Sequence, residues 1–329
     1  MNLNLDLNQF EVKKRDSSDK SKKLSSSLNL SQLDSSSKHQ RKQEVLLGIE
    51  RLPTLPKVVH EVIRLTNDSK SCGDDFVSLF SNEQTLTAKM LRMVNSPFYG
   101  FRFKVTTIPK AIRILGHKSL RSLVLASSCS RLFQTASVEY GYPENGLWVH
   151  SVTVAQLASY LAKNRMKFSA DTADELFVVG LLHDIGKILL ARELSKYSDE
   201  CVKFMVDSET LDVTEMEREV LGIDHCEVGG VIISRWKIGS AIEDLINSHH
   251  GHHHENKNCR AALYSAVLSF ADFLCDEMKV GIDKDCRWVD SIPDSLVETL
   301  GLDDQALEQI REETLVIIGE TEELIAAMR

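Results

Sequence analysis

The run Leu176 to Leu190, LFVVGLLHDIGKILL, sets two adjacent ionisable residues, His183 and Asp184, inside one of the most apolar stretches of the chain. Burying an imidazole and a carboxylate side by side is costly unless each is satisfied. Two arrangements do this: a hydrogen-bonded pair, or a shared metal ion, since imidazole nitrogen and carboxylate oxygen together suit Fe, Mn, Zn or Ni. Which applies depends on whether other ligand types converge on the same point. Gly186, directly after the pair, reads as a helix end, with the pair at a helix C-terminus and Lys187 beyond it.

The rest of the chain is patterned for helices. Pro56 opens one whose apolar face is Val58, Val59, Val62, Ile63 and Leu65; another follows Gly73 and carries Phe76, Val77, Leu79 and Phe80. A third, Leu86 to Val94, ends at Asn95-Ser96-Pro97. Pro109 opens a fourth that Gly116 closes, and Ser119 caps the next, Leu120 to Phe133. A loop of turn formers, Gly141-Tyr142-Pro143 and Glu144-Asn145-Gly146, separates this region from a second helical one. No window alternates as a strand does, so the expected fold is all-α. The expected divisions are a disordered tail over 1–44, a helical subdomain over 45–140, a helical bundle over 147–280 and closing helices over 281–329.

Charge divides along the same lines. Residues 1–44 hold nine Lys or Arg against six Asp or Glu and lack a sustained apolar period, which predicts disorder. The net charge of −9 rests on an acidic body and argues against general nucleic-acid binding. No apolar run is long enough to span a membrane, and the N-terminus lacks a secretory core. Seven scattered cysteines without a C-x-x-C pair read as reduced thiols, so the expected location is cytoplasmic.

Several distant residues face the same way as the doublet. His150 shares a helix face with Val154, Leu157 and Leu161; His225 does so with Val228, Gly229, Ile232 and Trp236. His249 lies on the face of Ile242, Leu245 and Ile246, with His250 turned further round. Asp272 is the only charged residue between Ala261 and Cys275. Each alone reads as an ordinary core residue; four helices offering imidazole or carboxylate inward make a metal-competent cluster. His252 to His254 read as exposed loop residues.

The order His150, HDIGK at His183 to Lys187, His225, His249-His250 and Asp272 resembles the HD superfamily of metal-dependent phosphohydrolases. The segments LPTLPKVV, LTAKMLRMVNSPFYG, AIRILGHKSLRSLVLASS and LLHDIGK are similar to the HDOD family of bacterial signalling proteins, over roughly Leu52 to Asp276. Asn82-Glu83 departs from an Asp-Pro common there. The resemblance implies an N-terminal helical subdomain packed on an HD-like bundle and a role in signal transduction. In the related HD-GYP cyclic-di-GMP phosphodiesterases the metal ligands match His150, His183, Asp184, His225, His249, His250 and Asp272 in kind and order. Their Gly-Tyr-Pro motif is missing after His250, and Gly141-Tyr142-Pro143 stands elsewhere, as a turn. The expected function is a regulatory module with a metal- or nucleotide-competent pocket and signalling proteins as partners. The alternatives are a phosphohydrolase acting on a substrate such as a cyclic dinucleotide, with Asp184 and Lys187 as catalytic residues, and a structural adaptor with an empty pocket.

Overall fold

The computed structural model describes residues 35–328 except 69, 135–136, 209–211, 251–259, 285 and 287–291. Among the described residues every regular element is helical, apart from one isolated bridge between Ser137 and Tyr142.

Helices α2 (Lys57–Asn67), α3 (Gly73–Ser81) and α4 (Gln84–Val94) pack round α5 (Ile108–Cys129). Their buried residues follow helical spacing, with Val59, Val62, Ile63 and Leu65 on α2, Phe76 and Phe80 on α3, and Met90, Met93 and Val94 on α4. Each such side chain contributes roughly 1.5–3 kcal/mol by leaving water. Gly116 breaks α5 with φ 84 and ψ 172, a backbone state that glycine adopts without strain, so the expected two helices appear as one kinked element. The Asn82-Glu83 departure falls at the start of α4, where Glu83 makes no capping hydrogen bond.

The second region centres on α6 (Gly146–Asn164) and α7 (Ala170–Leu182), packed side by side. Gly180 permits their close approach, since a Cβ there would lie 2.8 Å from Ala155 Cα. There follow α8 (Ile185–Leu194), α9 (Ser198–Asp207), α10 (Val213–Leu221), α11 (His225–Trp236), α12 (Ser240–Asn247) and α13 (Arg260–Glu277). The closing helices are α14 (Asp294–Leu300) and α15 (Asp304–Met328); α15 lays Ile310, Thr314, Ile317, Thr321 and Leu324 against α6 and α4. The two regions meet chiefly where α5 packs on α7.

Two expectations require revision. The disordered tail was to reach residue 44; residues 1–34 lie outside the described residues, but α1 (Ser35–Arg51) is helical and docked. Its charges account for this. Arg41 donates to both oxygens of Glu200, at 2.7 and 3.0 Å, and to the Val220 carbonyl, and it lies over the Tyr197 ring. Lys38 and Lys42 pair with Glu219 and Glu227, Val45 and Ile49 are buried, and Arg235 donates to the terminal carbonyls of Ile49 and Glu50. Helix α1 thus binds the chain's own acidic body.

Gly186 is the second revision. It stands in the first turn of α8, not at a helix end. Glycine is needed there because a Cβ would sit 2.1 Å from the His225 carbonyl oxygen.

Candidate metal centre

The doublet occupies the junction where α7 stops at Leu182 and α8 begins at Ile185. Asp184 is at the N-cap position, where an aspartate ordinarily accepts a backbone N–H, yet its side chain makes no cap hydrogen bond. The carboxylate is turned into the interior instead. His150 arrives from α6, His225 from the first turn of α11, His249 and His250 from just beyond α12, and Asp272 from α13.

These side chains meet round Asp184 in two groups. Beside Oδ2 lie His183 Nε2 at 3.4 Å, His150 Nε2 at 3.7 Å and Lys187 Nζ, which donates at 2.8 Å. Asp272 Oδ1 joins this group, 3.0 Å from His150 Nε2 and 3.1 Å from His183 Nε2. Beside Oδ1 lie His225 Nε2 at 3.4 Å and His249 Nε2 at 4.0 Å. His250 Nε2 stands 3.0 Å from that of His225. All seven candidate ligands are therefore gathered at one place, and all but the half-buried His250 are 0–2 % exposed.

Hydrogen bonds fix the imidazoles from behind. His183 Nδ1 donates to the Gly180 carbonyl and His249 Nδ1 to that of Ile246, both at 2.7 Å. His225 Nδ1 donates to Glu217 at 2.8 Å, and the same carboxylate receives the His225 backbone N–H. With Nδ1 carrying the proton, the Nε2 lone pairs of His225 and His249 are directed at Asp184 Oδ1. Lone pairs and carboxylate oxygens so close together repel unless a positive charge lies among them. Asp184 Oδ1 is buried without a hydrogen-bond partner, and leaving such an atom unsatisfied is costly.

The titration of the groups follows from this crowding. Burial opposes the His183 cation, but Asp184 and Asp272 beside it outweigh burial and raise its pKa to about 10. Burial likewise opposes ionised Asp184, and His183 and Lys187 reverse that, holding it well below the usual carboxylate range. His249 is pushed down to about 3 by burial and by His183 and His225. Asp276, half-buried with its Oδ1 enclosed and beside Asp272, rises to about 7.

A divalent ion fits this donor set on the strength of the orphaned Oδ1 and the converging Nε2 atoms. His225, His249, His250 and Asp184 could hold one on the Oδ1 side; His150, His183 and Asp272 are grouped on the other, and Cys226 adds a buried thiol beside His225. Such an ion polarises bound oxygen and lowers the pKa of bound water.

Four contributors escape a reading by sequence. Glu217 shares a helix face with Val220 and Leu221, a spacing that marks it as inward. Asp276 stands one turn after Asp272, with its Oδ1 3.6 Å from His150 Nδ1. Tyr140 donates to Glu217 at 2.6 Å. Tyr142, read only as part of a turn, is buried with its ring 5.5 Å from that of His150, and Gly141 supplies the positive φ that turn requires. Lys187, a candidate catalytic residue, is buried and bonded to Asp184, between the Tyr140 and Tyr142 rings. His252 to His254 lie outside the described residues.

The HDOD domain model matches residues 52–252, well over half of the chain and spanning both helical regions. The chain belongs to the HDOD family. An HDOD domain protein of unknown function from Geobacter sulfurreducens is similar at 26 % identity and a TM-score of 0.66, covering 88 % of this chain and 99 % of its own. A signal transduction protein, so named provisionally, from Marinobacter aquaeolei VT8 shares the fold at 20 % identity and a TM-score of 0.63, over 92 % of this HDOD chain and 68 % of its own. An uncharacterized protein of Treponema pallidum (strain Nichols) is 23 % identical over 228 residues, 68 % of this chain; the match spans 42 % of that relative's length. No helix among the described residues is long and apolar enough to cross a membrane.

Proposed function

We propose that this HDOD protein is a signal-transduction module whose HD centre holds a divalent metal ion, and that it acts by contact with signalling proteins rather than by turnover. The burial of the donor set supports this reading. His150, His183, Asp184, His225 and His249 are each 0 % exposed, so these donors are enclosed by the fold, while His250 is half-buried. A phosphodiester needs access to the ion, and on one side Lys187, Tyr140 and Tyr142 already fill the space against Asp184 and His150. The signalling name of the Marinobacter aquaeolei protein agrees with this role.

The second reading is a metal-dependent phosphohydrolase, and one observation favours it. Ligand groups stand on both oxygens of Asp184, the arrangement by which a bridging carboxylate holds two metals for in-line attack on a phosphodiester. Asp184 and Lys187 would then lie nearest the reacting atoms. Assay of metal-loaded full-length chain against bis(p-nitrophenyl) phosphate and cyclic di-GMP separates the two. The module reading predicts no turnover above that of Asp184→Ala. Hydrolysis that disappears in Asp184→Ala would overturn it in favour of the enzyme.

A further inference from the structure

A second concave site lies away from the HD centre, where four helices and the turn Pro97–Tyr99 meet. It is a cavity of about 380 Å³ between α5, α6, α7 and α15. That is within the ~300–1,000 Å³ usual for small-molecule pockets. One wall is aromatic: Phe98, Tyr99 and Phe177 touch ring to ring, with centroids 4.8 and 5.8 Å from that of Phe98. The facing groups are polar. Asp174 contributes a carboxylate held by the Ser119 hydroxyl at 2.6 Å, and Gln156 contributes a primary amide.

Gln156 is the informative residue, because it is 0 % exposed and only one end of its amide is bonded. Its Oε1 faces the Thr321 hydroxyl at 2.8 Å, while its amide nitrogen is buried without a partner. Thr321 has one proton and a second acceptor, the Ile317 carbonyl at 2.9 Å, so turning the amide over exchanges which end is unpaired without pairing both. An unpaired buried amide is costly unless something in the cavity completes it.

We propose that this cavity binds a small, planar nitrogen heterocycle of purine type, as a base or nucleoside, stacked on the aromatic wall and hydrogen-bonded to Asp174 and Gln156. A flat ring can stack on one ring of this wall, whose other two rings are inclined to Phe98 at 76° and 40°. Ring and exocyclic N–H groups match a carboxylate, and a mixed donor and acceptor edge matches an amide in either orientation. Charge argues for the base or nucleoside over the nucleotide: the lining holds two carboxylates, Asp174 and Glu320, against one ammonium, Lys163. Burial already raises the pKa of Asp174, so an added anion would be disfavoured further. The cavity's α7 residues lie on the helix that ends at His183 and Asp184, but the binding itself does not depend on any role for that doublet.

Calorimetric titration of the full chain with guanosine, adenosine and their 5′-monophosphates tests this. The expected result is saturable binding of at least one nucleoside, weaker binding of its monophosphate, and a loss of roughly tenfold or more in both Asp174→Asn and Gln156→Leu. Asp174 is only half-buried, so Asp174→Asn keeps the test open if Gln156→Leu does not fold. Either no binding of any nucleoside to the wild-type chain, or binding that Asp174→Asn leaves unchanged, overturns the proposal.

Discussion

Lys187 Nζ donates to one oxygen of Asp184 at 2.8 Å and leaves the other without a hydrogen-bond partner. The ammonium therefore hydrogen-bonds only one oxygen of the carboxylate, and the unsatisfied oxygen faces Nε2 of His225 and His249. Breaking a buried pair leaves an uncompensated charge, so Lys187→Met should destabilise the metal-free protein by roughly 3–5 kcal/mol. Urea unfolding in the presence of a chelator measures this, and a loss below ~1 kcal/mol would mean the pair is solvated.

Glu217 should govern metal affinity without touching the metal. It takes both the Nδ1–H and the backbone N–H of His225 and so sets which nitrogen faces Asp184. Glu217→Gln is expected to weaken metal binding about 10- to 100-fold while helicity stays unchanged. Competition against a chromophoric chelator reads the affinity directly, and an unaltered constant would contradict the role.

The docked helix α1 makes a separate prediction. Arg41 and Glu200 are mostly buried and doubly bonded, so Arg41→Ala should cost roughly 1–3 kcal/mol. The double variant with Glu200→Ala should lose clearly less than the two single losses combined. Hydrogen exchange over 35–51 should rise in Arg41→Ala; unchanged protection there would show that the contact does not hold the helix.

Acid stability should depend on Asp224, the N-cap of α11. Burial raises the pKa of its carboxyl, but the Glu227 backbone N–H, His225 and Arg218 outweigh burial and lower it. A carboxylate whose folded pKa is depressed adds stability that is present above its unfolded value of about 3.9 and is lost as pH falls through the folded value. Asp224→Asn keeps a capping oxygen but not the charge. It should lower stability at pH 6 and flatten the loss below about pH 4, as urea midpoints across that range will report.

Much of this was legible in the sequence because helical spacing is a strong signal. The faces of His150, His225 and His249 are marked by apolar neighbours three and four residues away, and Asp272 stands alone in an apolar run. What the sequence hid has local causes. Gly186 looks like a terminator, but its purpose is contact with a backbone distant in sequence, at His225, which no local pattern reveals. The stretch 35–44 is polar and looks unable to order itself; its partners Glu200 and Glu219 are supplied by helices far along the chain. Tyr142 sits in a turn motif whose residue types explain the backbone and say nothing of where the ring lands.

Asp184 is the meeting point of the imidazoles, and a bound cation among them is the central expectation. The direct measurement is elemental analysis of the purified full-length chain beside Asp184→Ala and His183→Ala, with folding checked by circular dichroism. The expected result is a divalent metal bound in near-stoichiometric amount by the wild type and lost from both folded variants. A wild-type chain that takes up no metal even when supplied with Fe, Mn, Zn or Ni, or folded variants that retain it in full, would contradict the account.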